Sequence, residues 1–188
     1  MSRWEPNARG RLEQAALELY LERGFEQTTV AEIAKRAGLT ERTFFRHYAD
    51  KREVLFAGAA LLEELLVSTV TNAPIDLAPI DAAVASLEAA GALLQERRPF
   101  AQQRYAVIAA NPELQERELI KLASLAAALA DTLRKRGVGN TAASLSAEVA
   151  IAVFKIAFER WIVETNTQSL PQLIRTSFDE LKTVTAGK

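Results

Sequence analysis

Residues 29–51, TVAEIAKRAGLTERTFFRHYADK, constrain this chain more than any other stretch. They read as a short helix, a tight glycine turn and a second short helix that ends in aromatics. At roughly 100° per residue, Arg42, Thr43, Arg46 and His47 fall within an arc of about 140°. Phe44, Phe45 and Tyr48 are expected on the other side. One side can anchor in a core while the other presents hydrogen-bond donors and two cations. A helix patterned in this way fits the major groove of duplex DNA.

The rest of the sequence reads as helix, and the expected fold class is all-α with about nine helices. An apolar stripe at Leu12, Ala16, Leu19 and Tyr20 predicts a first helix over 8–23, stopped by Gly24. Thr29 and Glu32 form a capping-box pattern for the second helix, Gly38 closes it, and Thr40 caps the third. Asp50, with Glu53 three residues on, predicts a fourth helix running to about 71. Pro74 and Pro79 bracket a short connector. Further helices are expected over 80–97, from Pro99 to about 110, from Asn111-Pro112 to about 136, over 142–164 and over 170–184. Ser169 and Gln172 offer a second capping box. Alternation rich in Val, Ile and Thr is absent, so no strand is expected.

Composition narrows the classes of function. Hydrophobic residues at 49% and charged residues at 25% are ordinary for a globular chain. With no cysteine, disulfides and thiolate metal sites are excluded. The one histidine lies in the third helix, and no glycine-rich phosphate loop or metal-spaced cluster appears. Catalysis, a metal and a cofactor are therefore not expected. The N-terminal stretch has no apolar signal region, and no apolar run seems long enough to span a bilayer unbroken by charge, so the expected location is cytoplasmic. Residues 1–52 hold ten Lys/Arg and eight Asp/Glu, a net +2, whereas 53–188 hold thirteen and sixteen, a net −3. Affinity for DNA must then come from local placement of charge.

The residues Gly24-Phe25, Thr28-Thr29-Val30, Ile33-Ala34, Ala37-Gly38-Leu39, Thr43-Phe44-Phe45, His47-Tyr48, Asp50-Lys51 and Val54-Leu55 resemble the tetracycline-repressor (TetR) family of bacterial regulators. This block covers about a quarter of the chain; beyond residue 58 the likeness lies in helical character and order. The resemblance implies a helix-turn-helix DNA-binding domain over 1–52, a connecting fourth helix over 50–71, and a helical ligand-binding and dimerisation domain over 53–188. It puts the second helix across the DNA backbone and the third in the major groove. Arg42 and Thr43 then sit where base edges are read, with Arg42 reaching guanine O6 and N7 or a phosphate. Thr29 is placed to donate to a phosphate, and Thr40, Arg46, His47, Tyr48 and Lys51 complete the expected DNA contacts. Arg46 fits a phosphate contact and a solvated face equally, and Phe44, Phe45 and Tyr48 also read as core anchors. Arg3, Arg9 and Arg11 fit either a basic arm or a free tail, with Trp4 favouring docking. Glu41 fits a cytosine N4 contact, a pair with Arg42, or the helix N-terminus.

Two readings concern the C-terminal part. The helix around Val149, Ile151, Val153, Phe154, Ile156, Phe158, Trp161 and Ile162 is apolar nearly all round, which predicts burial on more than one side. A second copy is the expected partner, and the family pairs its last two helices in this way. The resemblance also implies a small-molecule effector site, for which Phe100, Arg104, Tyr105, Phe154, Phe158 and Trp161 are candidates. Plain helix packing accounts for the same residues. The expected function is a homodimeric regulator, a repressor released from a palindromic double-stranded operator by its effector. A DNA-binding or nucleoid-associated protein controlled by a protein partner is the alternative.

Overall fold

The computed structural model describes residues 7–187. Among them are nine α-helices, a short 3-10 turn and no strand. The helices are α1 (Ala8–Arg23), α2 (Val30–Arg36), α3 (Glu41–His47), α4 (Ala59–Asn72), α5 (Pro79–Gln95), α6 (Arg98–Ala109), α7 (Pro112–Lys135), α8 (Asn140–Ile162) and α9 (Leu170–Thr185). The local stop and start signals act as read. Gly24 closes α1 at φ 87°, where a side chain would be strained. Both capping boxes form, Thr29 with Glu32 and Ser169 with Gln172. The expected Arg3 and Trp4 arm lies outside the described residues.

The fourth helix differs from expectation. A 3-10 turn at Glu53–Phe56 precedes α4, which begins only at Ala59. Asp50 Oδ1 accepts from the amides of Arg52 and Glu53 and starts this turn. The Leu55 carbonyl, which a continuous helix would offer to the amide four residues on, instead accepts from Arg104 Nε at 2.6 Å. Gly58 follows, a residue that weakens a helix interior.

The chain forms two compact units, residues 1–59 with 102–118, and 60–101 with 119–188. The first therefore extends past the boundary expected at residue 52, because Glu53 pairs with Arg117 and Leu55 with Arg104. Its core is built from Leu12, Ala16 and Leu19 of α1, Ile33 and Ala34 of α2, Phe44 of α3, and Val54, Leu55 and Phe56 of the 3-10 turn, all buried. Phe25 folds back onto Tyr20, the rings edge to face at 5.2 Å.

In the second unit α5, α8 and α9 pack against one another. Gly91 allows a close approach of α5 to α9, since a Cβ there would meet Ile174 Cδ1 at 3.0 Å and Leu170 Cγ at 3.3 Å. Trp161, fully buried, sits in the same core as Leu87, Leu129 and Leu133. Arg136 terminates α4, donating to the carbonyls of Val70, Ala73 and Pro74 at 2.7–2.8 Å. Helix α8 is not buried all round. Ala143, Ala147, Ala150, Val153, Ala157 and Trp161 face the core, while Leu145 and Ile156 are 61% and 55% exposed. By length and composition, residues 53–72 and 140–162 are apolar enough to cross a membrane, which corrects the expectation that no such run exists. For α8 the same composition serves a core face and an exposed apolar stripe.

Candidate nucleic-acid interface

Helices α2 and α3 are joined through a turn fixed by backbone hydrogen bonds. The Leu39 amide donates to the Ala34 carbonyl at 2.8 Å and the Gly38 amide to Lys35 at 3.0 Å, the pairing of a Schellman closure. Gly38 has φ 66°, and a Cβ on it would lie 2.7 Å from the Arg11 guanidinium. That guanidinium donates to the Ala37 carbonyl and ties α1 to the turn. Arg11 thus braces the motif from inside the unit.

Helix α3 is held by two aromatics, Phe44 fully buried and Tyr48 at 4% exposure, with their centroids 5.6 Å apart. Thr40 accepts from the Thr43 amide at 3.2 Å, and the two hydroxyls share a hydrogen bond at 3.1 Å. Outward from this anchor stand Glu41, Arg42, Phe45 and Arg46, all exposed. Arg42 and Arg46 make no ion pair or hydrogen bond among the described residues. This is unlike their neighbour Arg36, which is bound to Glu22 at 2.8 and 2.9 Å. His47 is half-buried, and its Nε2 has no hydrogen-bond partner. Desolvation, with repulsion from Arg46 and Arg9, holds its pKa below the ordinary imidazole value.

Three expected phosphate contacts find other partners. The Thr29 amide and hydroxyl both donate to Glu32 Oε2 at 2.9 Å, because the capping box consumes them. The Lys51 ammonium donates to the carbonyls of Phe25, Glu26 and Thr28 at 2.8, 3.3 and 3.0 Å, and lies 4.3 Å from the Phe25 ring centroid. Its three protons are thereby taken by the loop between α1 and α2. The Tyr48 hydroxyl donates to Glu13 at 3.2 Å, and burial raises its pKa. Phe45, expected as an anchor, is instead 55% exposed. It lies three residues from Arg42, about 60° round the helix.

Comparison with known proteins agrees with this geometry. Residues 13–57 match the profile of bacterial regulatory proteins of the tetR family, and residues 77–186 match the MftR C-terminal domain. The chain belongs to the TetR family. A Mycobacterium tuberculosis protein named for transcriptional regulation of mycofactocin biosynthesis, MftR, is 27% identical over 171 residues, 89% of this chain and 86% of its own length. TcmR, an HTH-type transcriptional regulator of Streptomyces glaucescens, is 38% identical over 74 residues, 39% of this chain and 33% of its own. Among solved structures, the Thermus thermophilus repressor FadR in complex with lauroyl-CoA has TM-score 0.58 and 22% identity, covering 92% of each chain. A Pseudomonas aeruginosa transcriptional regulator has TM-score 0.66 and 21% identity, covering 99% of this chain and 94% of its own. The all-helical TetR fold and a DNA-binding regulatory function, rather than catalysis, follow from these matches.

Within this TetR regulator the six effector candidates divide between the two compact units. Phe154, Phe158 and Trp161 stack along α8 in the second unit, with centroids 5.9 and 5.5 Å apart. The Trp161 indole nitrogen is buried without a hydrogen-bond partner. Phe100, also in the second unit, carries the Arg97 guanidinium 4.4 Å from its ring centroid. Arg104 and Tyr105 belong to the first unit. The Arg104 guanidinium is spent on the Leu55 carbonyl, on Glu118 at 3.1 Å and on the face of Phe56 at 5.0 Å. Burial pushes its pKa down, against the pull of Glu118. Sequence reasoning missed this role because the partners of Arg104 lie 14 and 49 residues away.

Proposed function

We propose that this regulator binds a palindromic operator as a homodimer and acts as a repressor released by a small-molecule effector. The observation that carries the DNA reading is the pair of exposed, unpaired arginines on α3, braced from behind by Phe44 and Tyr48. Arg42 reads a guanine edge, Arg46 and His47 contact the backbone, and Thr40 and Thr43 border the same face. Thr29, Tyr48 and Lys51 serve this face by fixing the elements behind it.

One head of net charge +2 in a chain of net charge −1 binds weakly, so two copies are needed. Leu145, Val149, Ala152 and Ile156 lie within an arc of about 60° along α8. This apolar stripe supports a twofold pairing with a second copy. The two recognition helices then read half-sites about 34 Å apart. Phe154, Phe158 and the unsatisfied Trp161 indole support an effector site that is apolar apart from one donor. An effector releases the operator by favouring a head spacing that misses one turn of the duplex. The regulator acts in the cytoplasm, needing no cofactor.

Arg42→Ala tests the reading. It should weaken binding to a selected operator by about 1–3 kcal/mol and leave the oligomeric state unchanged. Equal affinity in wild type and variant would remove Arg42 from base recognition.

A further inference from the structure

Phe45 stands on the exposed side of α3, 55% accessible, about 60° round the helix from Arg42. Its ring packs edge to face on buried Phe44, with centroids 5.4 Å apart and planes at 82°. The ring is braced at its base and open at its tip. It is flanked in sequence by the exposed arginines at positions 42 and 46. An exposed phenyl group in that setting can accept no hydrogen bond from a base and offers nothing to a phosphate. In a major groove, the apolar feature that distinguishes one base pair from the others is the C5-methyl group of thymine.

We propose that Phe45 reads a thymine methyl group in each operator half-site, next to the base or phosphate engaged by Arg42. This rests on the recognition-helix reading above. The two residues then divide the work of recognition. The arginine supplies attraction and a polar edge contact, and the phenyl ring selects against cytosine, which lacks the methyl group at that position. The core carries Phe44 and Tyr48 as its anchors, so Phe45 is free for this role without cost to the fold.

The test uses the full-length protein and the duplex it enriches from a randomised DNA pool. Each thymine of that duplex is replaced in turn by deoxyuridine, which removes the methyl group and leaves every hydrogen-bonding group in place. One deoxyuridine per half-site should weaken wild-type binding by about fourfold, the loss expected for one buried methyl contact. Phe45→Ala should bind the thymine and uridine duplexes equally, with an unchanged melting temperature and oligomeric state. A uridine scan that is neutral for wild type overturns the assignment, as does a Phe45→Ala protein that keeps the uridine loss or no longer dimerises. A neutral scan on a duplex still weakened by Arg42→Ala overturns Phe45 alone. A wild-type protein that enriches no duplex overturns the recognition-helix reading with it.

Discussion

Arg104 Nε donates to the Leu55 carbonyl at 2.6 Å, the same carbonyl that an unbroken fourth helix would offer to the Ala59 amide. A side chain on α6 thereby substitutes for a backbone donor and keeps Glu53–Phe56 in a 3-10 turn. The arrangement is doubled, since Arg117 on α7 pairs with Glu53 at the start of that turn. The beginning of the connector is thus fixed by two cations from later in the chain.

Arg104→Ala should lower the free energy of unfolding by about 1–3 kcal/mol, the range for losing a charged hydrogen bond to a carbonyl that stays buried. Arg104→Lys should recover little, because an ammonium cannot serve the Leu55 carbonyl and Glu118 with one planar fork. Chemical denaturation reads both. Unchanged midpoints would mean that the 3-10 turn holds without the guanidinium.

Lys51 gives a prediction opposite to that for a phosphate contact. With its protons on three carbonyls of the 25–28 loop, Lys51→Ala should destabilise the head by about 1–3 kcal/mol. Lys51→Arg should not rescue it, since converging carbonyls suit a compact ammonium. If Lys51→Ala melted like wild type and lost only DNA affinity, the clamp assignment would be wrong.

What was legible in the sequence was local. Gly24, the Thr29–Glu32 and Ser169–Gln172 capping boxes and the Gly38 turn each involve residues within five positions of one another, and all appear where read. The roles of Lys51, Arg104 and Arg136 were not legible, because their carbonyl partners lie 23 to 66 residues away. Periodicity also misassigned Phe45. Aromatic character marks a residue as worth burying, but the 100° step of the helix decides whether it can be, and Phe44 and Tyr48 already fill the inward side.

His47 should make operator binding depend on pH. In the free head its pKa is held down, first by desolvation and then by Arg46 and Arg9, so the ring is neutral at pH 7. Stability contributed by this neutral ring is complete above the ordinary value of about 6.5 and is lost as the pH falls through the lowered value. A phosphate beside the ring reverses the local field and raises its pKa, so the complex takes up a proton. Affinity should therefore rise between pH 8 and pH 6, by at most about tenfold per unit of pKa difference at each head. His47→Gln should flatten this slope. Titrating binding at three pH values decides, and an equal slope in the variant would assign the proton elsewhere.

Helix α8 separates two effects that its composition merges. Trp161 is fully buried in the core of the second unit, so Trp161→Glu should unfold that unit by placing a charge where nothing pairs with it. Ile156 and Leu145 sit outside that core, at 55% and 61% exposure. In an isolated chain a glutamate there costs almost nothing, because a surface position away from buried partners tolerates change within about 0.5 kcal/mol. Across a twofold axis the same substitution puts like charges from two copies into one apolar interface, where desolvation and repulsion act together. Ile156→Glu should therefore yield a helical monomer that no longer binds a two-half-site duplex cooperatively. Sedimentation and circular dichroism on one sample distinguish the outcomes. A stable dimer would move the interface away from this stripe, and loss of helicity would place Ile156 in the core instead.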